Sequence, residues 1–146
     1  MSTWEPGEAT ALWLLWKRVH DDVRARIIGD MTARTGVSEP ELTVIVKVEE
    51  AGGTLRQSAI AARLGWDRTR LSHLLTRMEA RGYVARQKVA GGVEVRLLPP
   101  AEAVVRASAP DLEKSARRHL VNRLGPGEAA ALDRILRRLL QEEDRR

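Results

Sequence analysis

The sequence predicts a mainly α-helical protein carrying one small β-hairpin, an α+β arrangement. Three observations carry that prediction. Apolar residues return at three- and four-residue steps along both ends of the chain, the period of a helix with one buried face. Between them, two short β-favouring runs, Tyr83–Val89 and Val93–Leu98, flank Ala90-Gly91-Gly92, a hairpin signal. Finally, 146 residues without a cysteine give one domain, or a small domain with an added helical interface. Such a chain buries a core without a metal or disulfide staple.

The elements follow in order. From Glu8 to Thr35, Leu12, Leu15, Trp16, Val19, Val23 and Ile27 describe one apolar helical face, closed by Gly36. Ser38 then offers an N-cap, and Glu41 three residues on completes a capping box. The following Leu42–Val48 is rich in β-branched residues. The cap and the Leu42/Ile45/Val46/Glu49 spacing favour a helix ending at Gly52-Gly53. A short helix is expected over Leu55–Leu64, then a turn at Gly65-Trp66. Asp67 caps a second helix with Leu71, Leu74, Leu75 and Met78 on one side, ending at Gly82. After the hairpin, Pro99-Pro100 stops the second strand. Val104, Val105, Leu112, Ala116, Leu120 and Leu124 form a further helical stripe, with a kink or break expected at Pro110. Gly125-Pro126-Gly127 turns the chain into a closing helix lined by Leu132, Ile135, Leu136, Leu139 and Leu140.

Charge is unevenly placed. Arg56 to Arg96 holds nine basic residues against three acidic ones, a net +6. The whole chain carries +5, so the other 105 residues are close to neutral. A concentrated basic stretch points to a polyanion partner, or to a solvated arginine-rich helix surface.

The two short helices joined by a tight turn at Gly65 read as a helix-turn-helix. Small Ala61 lets the helices approach, and Gly65 takes a backbone conformation that a Cβ penalises. On a helical wheel Thr69, Ser72, His73 and Thr76 point outward, with Arg70 and Arg77 beside them. Arg68–Met78 contains no carboxylate, whereas wet helix faces usually mix both signs. Short hydroxyls, an imidazole and arginines suit base edges and phosphates of a major groove. The hairpin that follows is then a wing.

These residues carry a resemblance. AIAARLG (Ala59–Gly65), DRTRLSHLLTRMEARGYVAR (Asp67–Arg86), VEVRLL (Val93–Leu98) and the helix start LGPGE (Leu124–Glu128) resemble the MarR (multiple antibiotic resistance regulator) family of winged helix-turn-helix transcription factors. With the flanking helices, the resemblance covers nearly the whole chain. It implies a homodimer held by N- and C-terminal helices (residues 1–36 and 100–146). Residues 37–99 are then the lobe that binds double-stranded, pseudo-palindromic operator DNA. It places Gln57, Ser58, Arg68, Thr69, Arg70, Ser72, His73, Thr76 and Arg77 on DNA-facing helices, and Arg86, Lys88 and Arg96 on the wing. One departure is plain: family wings usually carry Asp-x-Arg near the tip, where this chain has Ala90-Gly91-Gly92. A weaker wing contribution is expected.

Regulators of this family often answer to small aromatic or phenolic anions, giving a repressor released by ligand. Trp13, Trp16, His20 and Arg24 lie along one edge of the first helix, and rings, imidazole and guanidinium suit an aromatic carboxylate. The alternative is that the tryptophans fill dimer core, since phenylalanine is absent. A DNA-architectural or protein-interaction winged-helix module without an effector is the other functional reading.

An enzyme is not expected. The chain has no H-E-x-x-H, Walker loop, G-x-S-x-G or G-x-G-x-x-G, and His20, His73 and His119 fall on separate helices, so no cofactor or metal is expected. The N-terminus MSTWEPGEAT lacks a basic segment followed by an apolar one, and no apolar run approaches the ~18 residues of a membrane span. A cytoplasmic location without membrane contact is the expectation.

Overall fold

The computed structural model describes residues 5–141. Its elements run α1 (Glu8–Thr35), α2 (Glu39–Glu50), β1 (Thr54–Arg56), α3 (Gln57–Leu64), α4 (Arg68–Ala80), β2 (Val84–Val89), β3 (Gly92–Leu97), α5 (Pro99–His119), a 3₁₀ turn (Val121–Arg123) and α6 (Glu128–Gln141). Two compact units emerge. One spans Ile28–Asp111; the other comprises the described residues up to Ile27 and from Leu112 onward.

In the first unit, α1 ends at Gly36, whose N–H donates to the Thr32 carbonyl at 3.2 Å. Ser38 caps α2 as expected: its Oγ accepts the Glu41 N–H at 3.4 Å and donates to Glu41 Oε1 at 3.0 Å. The β-branched run of α2 is helical because one side is sealed, with Val44, Ile45 and Val48 fully buried. Those residues meet Ile60 and Ala61 of α3, Leu71, Leu75 and Met78 of α4, and Val84, Val95 and Leu97 of the hairpin in one core. Met31 and Ala101 are buried too, which is why this unit takes in the end of α1 and the first half of α5.

The sheet differs from the expectation by one strand. Leu55 and Arg56 are not helical; with Thr54 they form β1, and the strand order is β1-β3-β2, all antiparallel. Thr54, Leu55 and Arg56 lie opposite Arg96, Val95 and Glu94. Three residues are too few to display a period of two, so only the pairing with β3 reveals this strand. Ala90-Gly91 links β2 to β3, with Val89 opposite Gly92.

A second difference concerns Pro110. The expected break is absent, and α5 is helical from Pro99 to His119. Its stripe stops short of Leu120 and Leu124, which flank the 3₁₀ turn.

In the second unit, Arg123 reaches Asp22 at 3.7 Å. On α6, Arg137 donates to Asp133 at 2.8 Å, and this bond holds the Asp133 carboxyl below its ordinary range. Among the described residues no helix is long and apolar enough to cross a membrane.

Candidate nucleic-acid interface

The α3–α4 turn sets the site. Gly65 has φ +63°, the left-handed conformation that ends α3, and Asp67 Oδ1 then accepts the Arg70 N–H at 3.0 Å to start α4. Leu71, Leu74, Leu75 and Met78 are buried, so the opposite side of α4 must face out. Arg68, Thr69, Arg70, His73, Thr76 and Arg77 are exposed there, and Ser72 is half-buried. The Arg70 guanidinium lies 5.4 Å from the Trp66 ring centre, a cation–π contact that holds it at the helix start. The side chains of Arg68, His73 and Arg77 have no hydrogen-bond or ion-pair partner among the described residues.

Not every basic residue of the central stretch is available. Arg81 caps the end of α4 and donates to both oxygens of Glu41, at 2.8 and 2.6 Å, with its guanidinium 4.9 Å from the Tyr83 ring centre. Arg86 lies on the wing, in β2, and is half-buried and turned back on α4. Its Nη2 donates to Thr76 Oγ1 at 2.8 Å and sits 3.4 Å from Glu79 Oε1, while its backbone N–H donates to Glu79 Oε2 at 3.0 Å. Thr76 in turn donates to the Ser72 carbonyl at 2.9 Å, so its hydroxyl is engaged on both sides. Glu79, one residue beyond the carboxylate-free stretch, is what draws Arg86 inward.

The register also separates the expected wing residues. Arg86 and Lys88 lie opposite Val95 and Val93, on one face of the hairpin, whereas Arg96 lies opposite Ala85 and Thr54, on the other. Lys88 and Arg96 are both exposed. Gln57 and Ser58 open α3 and share a hollow of about 270 Å³ with Arg68, Leu71, Gly91 and Gly92. Gln57 Oε1 is buried there without a hydrogen-bond partner. The hairpin tip, α3 and the first residue of α4 thus meet around one notch.

Arg56 is not among the residues the sequence pointed to. It is the last residue of β1 and the one that leads directly into α3; it is exposed, and its Nη1 lies 3.1 Å from the position a Cβ on Gly91 would take. No pattern in the sequence singles it out, because β1 shows itself only through its pairing with β3.

The other unit holds the aromatic edge of α1. Trp16, His20 and Arg24 line an apolar hollow of about 610 Å³ together with leucines from α6 and from around the 3₁₀ turn. The Trp16 and His20 ring centres are 6.3 Å apart. His20 Nδ1 also pairs with Asp21 at 3.4 Å. Trp13, grouped with these by sequence, does not line the hollow and is exposed.

A family model described as a domain of unknown function (DUF7343) matches residues 37–92. No curated protein matches the chain. Among solved structures, AbsC, a MarR family transcriptional regulator from Streptomyces coelicolor, is 23% identical with a TM-score of 0.74, covering 99% of this chain and 100% of AbsC. Sco3205, a MarR family regulator from the same organism solved in complex with DNA, is 23% identical with a TM-score of 0.73, covering 97% of this chain and 91% of its own. The organohalide-sensing regulator RdhR-CbdbA1625 in its 2,4-dichlorophenol bound form is 15% identical with a TM-score of 0.70, covering 97% and 88%. From the helix-turn-helix, the three-stranded wing and the flanking helices together, this chain has the winged-helix fold of the MarR-family transcriptional regulators.

Proposed function

We propose that the protein is a sequence-specific DNA-binding transcriptional regulator that acts as a homodimer on a pseudo-palindromic operator. The observation that carries this reading is the outer side of α4, where Arg68, His73 and Arg77 are exposed and unpaired and no carboxylate intervenes. In a major groove, Arg77 or Arg70 pairs with a guanine edge, while Thr69 and Ser58 hold phosphates. The likeness to a regulator solved on DNA supports the assignment. Residues 37–99 then form the DNA-binding lobe, and residues 1–36 and 100–146 join the two copies. The uncovered apolar side chains on α1 and α6 support that division: Leu12, Leu15, Ile135, Leu139 and Leu140 are each at least half exposed in the single chain.

The finer part of the proposal is a repressor released by a small aromatic ligand. Trp16, His20 and Arg24 around an apolar hollow support it, as does the likeness to a protein solved with a chlorophenol. A partner subunit filling the same hollow is the competing use. Tryptophan emission separates them: an aromatic acid that quenches it and weakens operator binding together supports the ligand site. A broad panel with no effect on either removes it.

The decisive experiment selects binding sites from a random duplex pool and then titrates salt. A two-fold symmetric consensus bound far above random duplex is expected. Binding that follows only the counterion-release slope, with no preference between sequences, overturns the regulator reading in favour of an architectural one.

A further inference from the structure

The hairpin tip has no charged side chain of its own, yet it carries a guanidinium. Ala90 and Gly91 make the turn, and Gly92 opens β3. Arg56 supplies the charge from a different strand. Glu94 is its register partner across β1–β3, but the guanidinium makes no ion pair there and lies against Gly91. Gly91 has φ +81°, and a Cβ at that position would press on Arg56 Nη1 at 3.1 Å. Glycine at 91 makes the turn, and its bare backbone is where the Arg56 guanidinium rests. Gly91 also lines the notch formed with Gln57, Ser58 and Arg68, so the bare turn has the Arg56 guanidinium against it and that notch beside it.

We infer that Arg56 is the DNA-contacting arginine of the wing, gripping a phosphodiester at the outer flank of each half-site in place of a tip side chain. The inference rests on the DNA-binding reading above and adds a residue to it. A guanidinium presents two N–H donors to phosphate oxygens, and with no Cβ at 91 or 92 the backbone can approach the same phosphate. Because β1 is hydrogen-bonded to β3, the group is held on the sheet rather than on a free loop. Contact with a phosphate carries no sequence information, so the residue sets affinity and register, not base preference.

The test compares wild type, Arg56→Gln and Arg56→Lys on the selected operator over a range of salt. Arg56→Gln is expected to bind about three- to tenfold more weakly for each wing engaged. Its slope of log K against log salt should fall by about 0.9 per lost contact, with the base consensus unchanged. Arg56→Lys recovers most of the slope. On a duplex with neutral methylphosphonates at the flanking positions, wild type loses its advantage and Arg56→Gln is unaffected. Arg56 is exposed at a strand end, so a melting curve matching wild type is expected for both variants. A wild type that binds its operator selectively while Arg56→Gln matches it in affinity and slope overturns this inference alone. A shift in the base consensus of Arg56→Gln also overturns it, by making the residue a base reader. A wild type without operator preference overturns the regulator reading and this one with it.

Discussion

Arg77 and Thr76 are neighbours on α4 with opposite circumstances. Arg77 is exposed and unpaired, whereas the Thr76 hydroxyl is engaged by the Ser72 carbonyl and by Arg86. Arg77→Ala should cost about 1–3 kcal/mol of operator binding and relax preference at one position, read by competition with single-base variants. Thr76→Val removes an anchor of Arg86 instead, so it should weaken binding with the consensus retained. Arg81 belongs to stability rather than recognition. Its pairing with the buried Glu41 leaves an uncompensated carboxylate when it is lost. Arg81 is itself partly exposed, which tempers the effect, and Arg81→Ala should destabilise the fold by about 1–2 kcal/mol in a denaturant titration. The sequence placed the outer residues of α4 correctly, because four buried apolar positions fix the helix phase. It did not show that Arg81 and Arg86 are tied down, since their partners Glu41 and Glu79 are brought near by the fold, 40 and 7 residues away.

At the scale of elements, the turn between α3 and α4 aims α4. Gly65 holds φ +63° there, so Gly65→Ala should cost about 1–2 kcal/mol, visible as a lowered melting temperature, with operator affinity falling alongside. Helices were legible wherever a cap and a long apolar period coincided, as at Ser38 and Asp67. The three-residue β1 was not, because its membership depends on hydrogen bonds to β3, and Leu55 serves a helix stripe and a strand face equally well. At Pro110 only the break is ruled out: a proline removes one backbone bond, and the remainder of a 21-residue helix carries through it.

For the whole molecule, the balance of exposed apolar surface matters most. The unit spanning Ile28–Asp111 has a sealed core, while Leu12, Leu15, Trp16 and Val19 of α1 and Ile135, Leu139 and Leu140 of α6 stay open in a single chain. Deleting the chain from Gly125 onward removes α6. Such a protein should sediment as a monomer and lose operator affinity, because two linked half-sites become two independent weak ones. A truncated protein that remains dimeric with full affinity places the subunit contact elsewhere. The periodic stripes of these helices were readable from the sequence. That they remain uncovered within one chain was not, because periodicity reports an apolar face without saying what meets it.

The bracket that Arg86 makes between β2 and α4 has a geometric outcome for any operator. Helix and hairpin are fastened to each other through Glu79 and Thr76, so their contact points on a duplex keep a constant offset. One base pair inserted between the groove-read bases and the flank of a half-site shifts that flank by about 3.4 Å along the axis and turns it around the duplex. The reader cannot stretch to follow. Footprints on such a spaced site should retain either the inner or the outer protection, never both.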